Sequence, residues 1–303
     1  MLGPRTRLMS VATYAAAQLL RVLPRVRITR AVGKLADARI SPSVSKAVVG
    51  LFVRAYDVNL GEAIRPEGAF DSFDAFFTRE LVPGARPMVD DPTVLVSPAD
   101  GRLDAYGPVE TGGRIVVKDR PYRVEELIGD ADDARRYDGG QYFVVYLSPR
   151  DYHRVHAPAG GRIESIRSLP GDLYPVNAIG ERHVPKLFSK NRRVAIPIDT
   201  PSQGRVTVVM VGAMIVGRIT VRCMDAHDVP VGNHRLPEPF LVQRGDEIGT
   251  FHLGSTAVVF VEKGTPTLDH PFGAVRLGAA LHSVHGQSGP QNGSPSGSSA
   301  KPR

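Results

Sequence analysis

One cysteine, Cys223, stands in 303 residues. That excludes an internal disulfide framework and a zinc site built on several thiolates, and it fits a reducing compartment. No apolar run is long enough to span a bilayer. The best, Met9 to Leu20, contains Gln18 and meets Arg21 at once, whereas about 20 apolar residues are needed. No persuasive small-residue cleavage site follows it, so it does not read as a signal peptide. A repeat of fixed period is also missing. Acidic residues are scarce in the first 60 positions, where Asp37 and Asp57 stand against ten Arg and Lys. The net charge of +7 belongs to that arm, because the remaining residues hold 28 basic and 29 acidic groups. Charge alone leaves anionic lipid headgroups and nucleic acid open as partners.

Three helices are expected in the arm, over 5–23, 27–39 and 43–57, punctuated by Pro24 and Ser41-Pro42. In the first, Leu8, Val11, Ala12, Ala15, Leu19 and Val22 recur at helical spacing. A short basic amphipathic helix lies in a membrane interface rather than across it. The alternative is a helical layer packed on the body with solvated arginines. A polar connector over 58–70 leads to a short helix within FDSFDAFFTREL, 70–81.

From Val94 the pattern changes to strands, expected at 94–96, 114–117, 141–148, 161–168, 193–198, 205–223, 240–243 and 256–264. Many short strands with little helix argue for a β barrel or sandwich. The organisation expected is an arm over 1–60, a β-rich body over 61–286 and a disordered low-complexity tail over 287–303. The fold class is mainly β with an N-terminal α-helical arm, α+β overall.

Three clusters could carry chemistry. Ser97-Pro98-Ala99-Asp100-Gly101 places an Asp before a Gly, which alone is a turn former. In YLSPRDYHRVHAPAGG, 146–161, His153 and His156 lie three apart. That spacing suits one helical face or a loop at a strand end. No third ligand accompanies them, so no metal site is expected. The third cluster is Gly254-Ser255, inside what otherwise reads as a strand. Glycine weakens a strand interior and marks a bulge or a close backbone approach. Together the clusters supply Asp, His and Ser, the set that activates a serine hydroxyl. The surrounding string Leu-Gly-Ser-Thr-Ala, flanked by strands, is not the G-x-S-x-G elbow of an α/β-hydrolase.

In order along the chain, FFTRELVPGARPM (76–88), SPADG (97–101), YLSPRDYHRVHAP (146–158), LPGDLYPVN (169–177), VGAMIVGRI (211–219) and GDEIGTFHLGST (245–256) resemble the bacterial phosphatidylserine decarboxylase proenzymes. These enzymes depend on a pyruvoyl group. The resemblance covers roughly residues 70–264. The departures are LFSKNRR at 187–193 and Pro175, where the family often has serine; they bear on the substrate pocket.

The resemblance implies a barrel-sandwich-like body and a self-cleaving chain. Ser255 would attack the carbonyl of Gly254 and convert the amide to an ester. β-Elimination would split the chain and leave dehydroalanine, which hydrolyses to a pyruvoyl group with release of ammonia. The products would be a β chain of 1–254 and an α chain of 255–303. His156 matches the base of this cleavage and Asp100 its orienting acid. The pyruvoyl at Ser255, the implied cofactor, would form an imine with phosphatidylserine and release CO2 to give phosphatidylethanolamine. Its ketone would serve as electron sink, and His153 matches the residue that protonates the resulting carbanion.

The implied partners are phosphatidylserine and an anionic membrane surface, with a homo-oligomer of β–α heterodimers and no nucleic acid. The implied location is peripheral, on the cytoplasmic side of the cell membrane. The segments 171–174 and 183–191 are expected as pocket walls. Two other readings remain. A serine hydrolase with an intact Ser255-His156-Asp100 triad would stay one chain. A β-barrel carrier module, to which GDEIG bears some likeness, would need a modifiable lysine in a hairpin turn, and none is evident.

Overall fold

The computed structural model describes residues 24–176, 178–214, 218–253 and 255–283. The expected helix over 5–23, the tail over 287–303 and Gly254 lie outside these. Helix α1 is Arg25–Asp37 and α2 is Pro42–Tyr56. Pro42 opens α2, where its fixed φ suits a helix and its missing N–H is no loss. Asp57 closes it in the left-handed region at φ 55°. A third helix, α3, is Phe73–Phe77, and its first turn is capped by Ser72 Oγ accepting from the Ala75 N–H at 3.0 Å. Among the described residues no helix is long and apolar enough to cross a membrane.

The body is mainly antiparallel β. Eight strands form one sheet in the order β10-β6-β7-β8-β12-β4-β1-β13. They are β1 Gly101–Pro108, β4 Gln141–Leu147, β6 Gly161–Leu169, β7 Arg193–Asp199, β8 Arg205–Val211, β10 Gly232–Val242, β12 Ser255–Val261 and β13 Gly273–Val275. A three-stranded sheet, β5-β11-β9, is made of β5 Arg154–His156, β9 Arg218–Val221 and β11 Glu247–His252, and β2 Arg114–Val117 pairs with β3 Arg120–Arg123.

Both faces of the central strands are covered, which is why β12 reads as a continuous apolar run and every one of its residues is buried. On one face Tyr137 lies 5.6 Å from Phe260, ring to ring, and bonds Thr207 at 2.5 Å. Tyr137 follows two short helices, α4 Val124–Ile128 and α5 Ala131–Arg136. On the other face β11 comes so close that a Cβ at Gly249 would sit 2.7 Å from Met210 Sδ. Met210 is paired with Ala257. Side chains alternate along a strand, so Ser255 shares the face of Ala257 and looks toward the small sheet that carries β5.

The helices of the arm are packed on this body. Phe52 of α2 meets Phe73, Phe76 and Phe77 at ring distances of 5.1, 5.7 and 6.2 Å. Ser45 Oγ donates to the Phe70 carbonyl at 2.6 Å. The packed layer is thus present for α1 and α2.

Several expected strands differ in extent. Residues 94–96 form one bridge, Val96 to Ala280, rather than a strand. Their N–H groups go to scattered acceptors, such as the Pro158 carbonyl for Val96 and His282 Nε2 for Leu95. The run 205–223 is two strands in different sheets, β8 and β9. Helices α4 and α5, with α6 Ala178–His183 and α7 Leu187–Lys190, span four to six residues, too short for helical periodicity to show.

Candidate active site

Ser255 opens β12 opposite Leu147 of β4 and is wholly buried. Its Oγ donates to the Val211 carbonyl. The residue two places earlier, Leu253, has φ +84°. A side chain in the left-handed region costs about 1–3 kcal/mol, so backbone strain is held beside Gly254-Ser255.

Asp100 ends the SPADG loop. Gly101 follows because a Cβ there would collide with the Tyr146 carbonyl oxygen. Asp100 receives Arg86 Nε at 2.8 Å on Oδ1 and Arg86 Nη2 at 2.5 Å on Oδ2, and the Leu277 N–H adds a third bond at 2.9 Å. Glu62 lies 2.9 Å from Arg86 Nη2, the same nitrogen that meets Asp100 Oδ2. The bond to Asp100, opposed by burial, is the largest of the effects that push the Arg86 pKa up.

His156 lies in β5, and its backbone N–H donates to the Pro98 carbonyl at 2.8 Å, joining it to the Asp100 loop. Its Nδ1 bonds the Gly245 carbonyl at 2.7 Å. A carbonyl only accepts, so Nδ1 carries the proton and Nε2 is a lone pair. That lone pair lies 3.1 Å from the Tyr152 hydroxyl. Burial pushes the Tyr152 pKa up, so the hydroxyl keeps its proton and donates. Burial pushes His156 down, while the Asp100 carboxylate is among the charges that oppose this. No hydrogen bond joins Asp100 to His156, or His156 to Ser255, among the described residues.

His153 precedes β5 and is completely buried. Its ring lies 4.0 Å from that of Phe77. Nδ1 donates to the Asp151 carbonyl at 2.8 Å, and Nε2 has no partner among the described residues. Burial pushes this imidazole down to about 3. Its own carbonyl accepts the Phe251 N–H at 2.9 Å, which ties it to the strand that leads to Ser255.

An apolar cavity of about 600 Å³ has Ser255 in its wall, with Leu147 and Leu253, Phe73 and Phe77 of α3, and side chains of α1 and α2. Pockets of this size and character hold small apolar ligands. Pro175 and Val176 line it too. Of the expected walls, Gly171 and Leu173 line a second cavity of about 450 Å³ on the other side of α1, and no residue of 183–191 lines either one.

The two cavities share Ala36 and Leu253. Beside the second, Arg218 binds Asp37 of α1 at 2.7 and 2.8 Å and Asp74 of α3 at 2.7 Å. Asp74 also lies 2.9 Å from His252. Burial alone would raise Asp74, but His252 and Arg218 hold it below the usual carboxylate range.

Three contributors escaped the sequence reading: Arg86, Tyr152 and Phe77. Arg86 has its partner 14 positions away and Phe77 reads as core, whereas Tyr152 shares its motif with its partner His156. The second alternative for the histidine pair is the one observed. They lie on an extended segment, where a spacing of three points side chains to opposite faces.

A family model described as phosphatidylserine decarboxylase matches residues 73–282. Curated proteins named phosphatidylserine decarboxylase proenzyme are similar over most of their length. The one from Bordetella avium (strain 197N) is 38% identical over 271 residues, covering 85% of this chain and 90% of its own. That of Marinobacter nauticus is 37% identical over 250 residues, 80% of this chain and 87% of its own. For Shewanella loihica the figures are 36% over 280 residues, 87% and 96%.

Proposed function

Because the chain belongs to the phosphatidylserine decarboxylase family, we propose that it is a self-cleaving phosphatidylserine decarboxylase acting at a membrane surface. The observation that carries this reading is Ser255, wholly buried at the head of the central strand and in the wall of an apolar cavity. A hydrolytic serine would need open access to water. A serine that attacks its own chain does not.

Cleavage begins when the Ser255 hydroxyl leaves the Val211 carbonyl and bonds to the carbonyl carbon of Gly254. His156 takes the hydroxyl proton at Nε2, the nitrogen that Tyr152 now occupies. Such catalytic hydrogen bonds are often formed only in the reacting state. Asp100, fixed by Arg86, favours the imidazolium that results through its charge. The Gly254–Ser255 amide becomes an ester, and elimination then separates residues 1–254 from 255–303.

The surroundings of Ser255 fit a pyruvoyl group: they are buried and apolar, and His153, whose Nε2 has no partner among the described residues, lies beside Phe77 of the same cavity wall. That group supplies a ketone that binds the substrate amine covalently and accepts the electrons left when CO2 departs. His153 does the proton work. Its Nε2 lone pair accepts a proton from the substrate ammonium and returns it to the carbon that lost CO2. One proton per turnover enters from solvent.

The apolar lining of the cavity suits part of a lipid substrate. Leu35, Val44, Val48 and Tyr56 line the cavity and are exposed as well, Leu35 by 73%. Exposed apolar side chains in one patch mark a membrane or protein contact. Arg27, Lys46 and Arg54 are exposed on the same two helices, and each basic residue near an anionic leaflet contributes about 1 kcal/mol. The arm over 1–60 thus serves as a peripheral membrane dock for the body over 61–286.

The test is a denaturing gel with intact mass of the products. Purified wild type should split at Gly254-Ser255 without added protease and convert phosphatidylserine to phosphatidylethanolamine. Ser255→Ala should remain one inactive chain. An uncut wild type with full decarboxylase activity would sink the proposal.

A further inference from the structure

Arg79 follows α3 by two residues and is 5% exposed. Its Nη2 donates to the carbonyls of Arg150 at 3.0 Å and Asp151 at 3.3 Å. Its guanidinium lies 5.5 Å from the centre of the Phe76 ring. Nε and Nη1 have no partner among the described residues. Unmade bonds on a buried cation are costly. If Arg79 served only to hold two carbonyls, a neutral amide could do it without that cost.

The explanation lies one residue further on. The Asp151 carbonyl that Arg79 grips is also the acceptor for His153 Nδ1. The carboxylate of Asp151 is turned away, toward the Ser148 N–H and hydroxyl at 2.7 Å each. Among the described residues, the Phe77 ring lies against the imidazole and the Phe251 N–H against the His153 carbonyl, both neutral. Arg79 is therefore the charge that bears on the imidazole, and it opposes a second positive charge there.

From this we propose that Arg79 is a positioning residue for decarboxylation: it fixes the loop that carries His153 and holds the ring as the Nδ1–H tautomer with Nε2 free. The inference rests on the role given to His153 above. A neutral Nε2 can take the ammonium proton. Once it has done so, the adjacent guanidinium makes the imidazolium a stronger acid, which speeds return of the proton to carbon. Before the transfer the same charge keeps Nε2 unprotonated, at the cost of some of its strength as a base.

The first measurement needs no maturation. In the Ser255→Ala chain, histidine ¹⁵N NMR should show the His153 protonation midpoint about one pH unit higher when Arg79→Gln is added. Arg79→Lys, which keeps the charge, should leave it in place. In matured protein, Arg79→Gln should move the acid limb of kcat the same way and lower kcat about tenfold. KM should stay within about twofold, because Arg79 does not line the cavity. An unmoved midpoint in Arg79→Gln, or an equal shift in Arg79→Lys, would overturn the inference.

If the neutral variant does not fold, Arg79→Lys decides alone. One ammonium cannot span both carbonyls as the planar fork does, so kcat should fall several-fold with the limb unmoved; wild-type kcat would count against the proposal. A wild type that never splits defeats the self-cleaving decarboxylase instead, and the NMR result is independent of it.

Discussion

His153 and His156 are three residues apart and live in opposite surroundings. His156 has both ring nitrogens engaged, by the Gly245 carbonyl and the Tyr152 hydroxyl, and lies near a carboxylate locked to Arg86. His153 has one nitrogen engaged, a cation for its nearest charge and an aromatic ring against its face. Chain proximity therefore says little about shared work. On an extended segment neighbouring histidines belong to different faces, and each takes its character from residues far away in sequence. The first face suits a base that must become positive beside a carboxylate. The second suits a proton carrier that must give its proton up.

The largest effect should come from exchanging these roles for alanine. His153→Ala should mature normally on a gel and lose about 10²–10⁴-fold in turnover, the contribution of a positioned proton donor. His156→Ala and Asp100→Asn should stall maturation itself. If His153→Ala stayed uncut while His156→Ala matured, the two assignments would be exchanged.

A smaller effect isolates the Asp100 side. Arg86→Met leaves a buried carboxylate without its fork. Removing one partner of a buried pair costs about 3 kcal/mol or more. Urea unfolding of Ser255→Ala with and without Arg86→Met measures it. Equal midpoints would mean that solvent or Arg79 neutralises Asp100 unaided.

The smallest concerns pH. Burial holds His153 down to about 3, while an unfolded imidazole titrates near 6.5. Between those values the unfolded chain binds the extra proton, so stability falls as pH falls, by about 1.4 kcal/mol per unit for this residue. Between pH 6 and 5, Ser255→Ala should lose that much more stability than Ser255→Ala with His153→Gln. Parallel losses in the two chains would show that His153 is protonated in the fold.

Much of this was legible beforehand, and the gaps have physical causes. The run after Ser255 shows as a strand because both its faces are covered. Gly254-Ser255 stood out because small residues are out of place there. Arg86 did not, since PGARP reads as a turn and its ion pair reaches 14 positions to Asp100. Nor did the cavity. The arm reads as a separate amphipathic unit, yet Asp37 meets Arg218 across 181 positions, and the apolar wall beside Ser255 is completed by helices that sequence assigns to another task. Strand β1 was missed although Leu103 and Ala105 alternate with Arg102 and Asp104 and are buried, because Asp100-Gly101 and Gly107-Pro108 read as turns at either end of a short run.

Strand β12 lies between β8 and β4, with β13 of the same C-terminal piece at the sheet's far edge. This placement dictates an order of events. The proposed break falls just ahead of a strand already clasped on both sides, so the nick opens no seam along which the pieces could part. A separately made C-terminal piece would have to enter the middle of the sheet, between β8 and β4, to take its place. If the chain cuts itself as proposed, assembly must come before scission, and the folded precursor would serve as the jig in which its own cut is made. Once unfolded, the mature pair has no covalent tether to bring β12 back to its slot. Refolding should become second order in the two pieces, and the loss of activity on heating should be far less reversible than for the uncut chain.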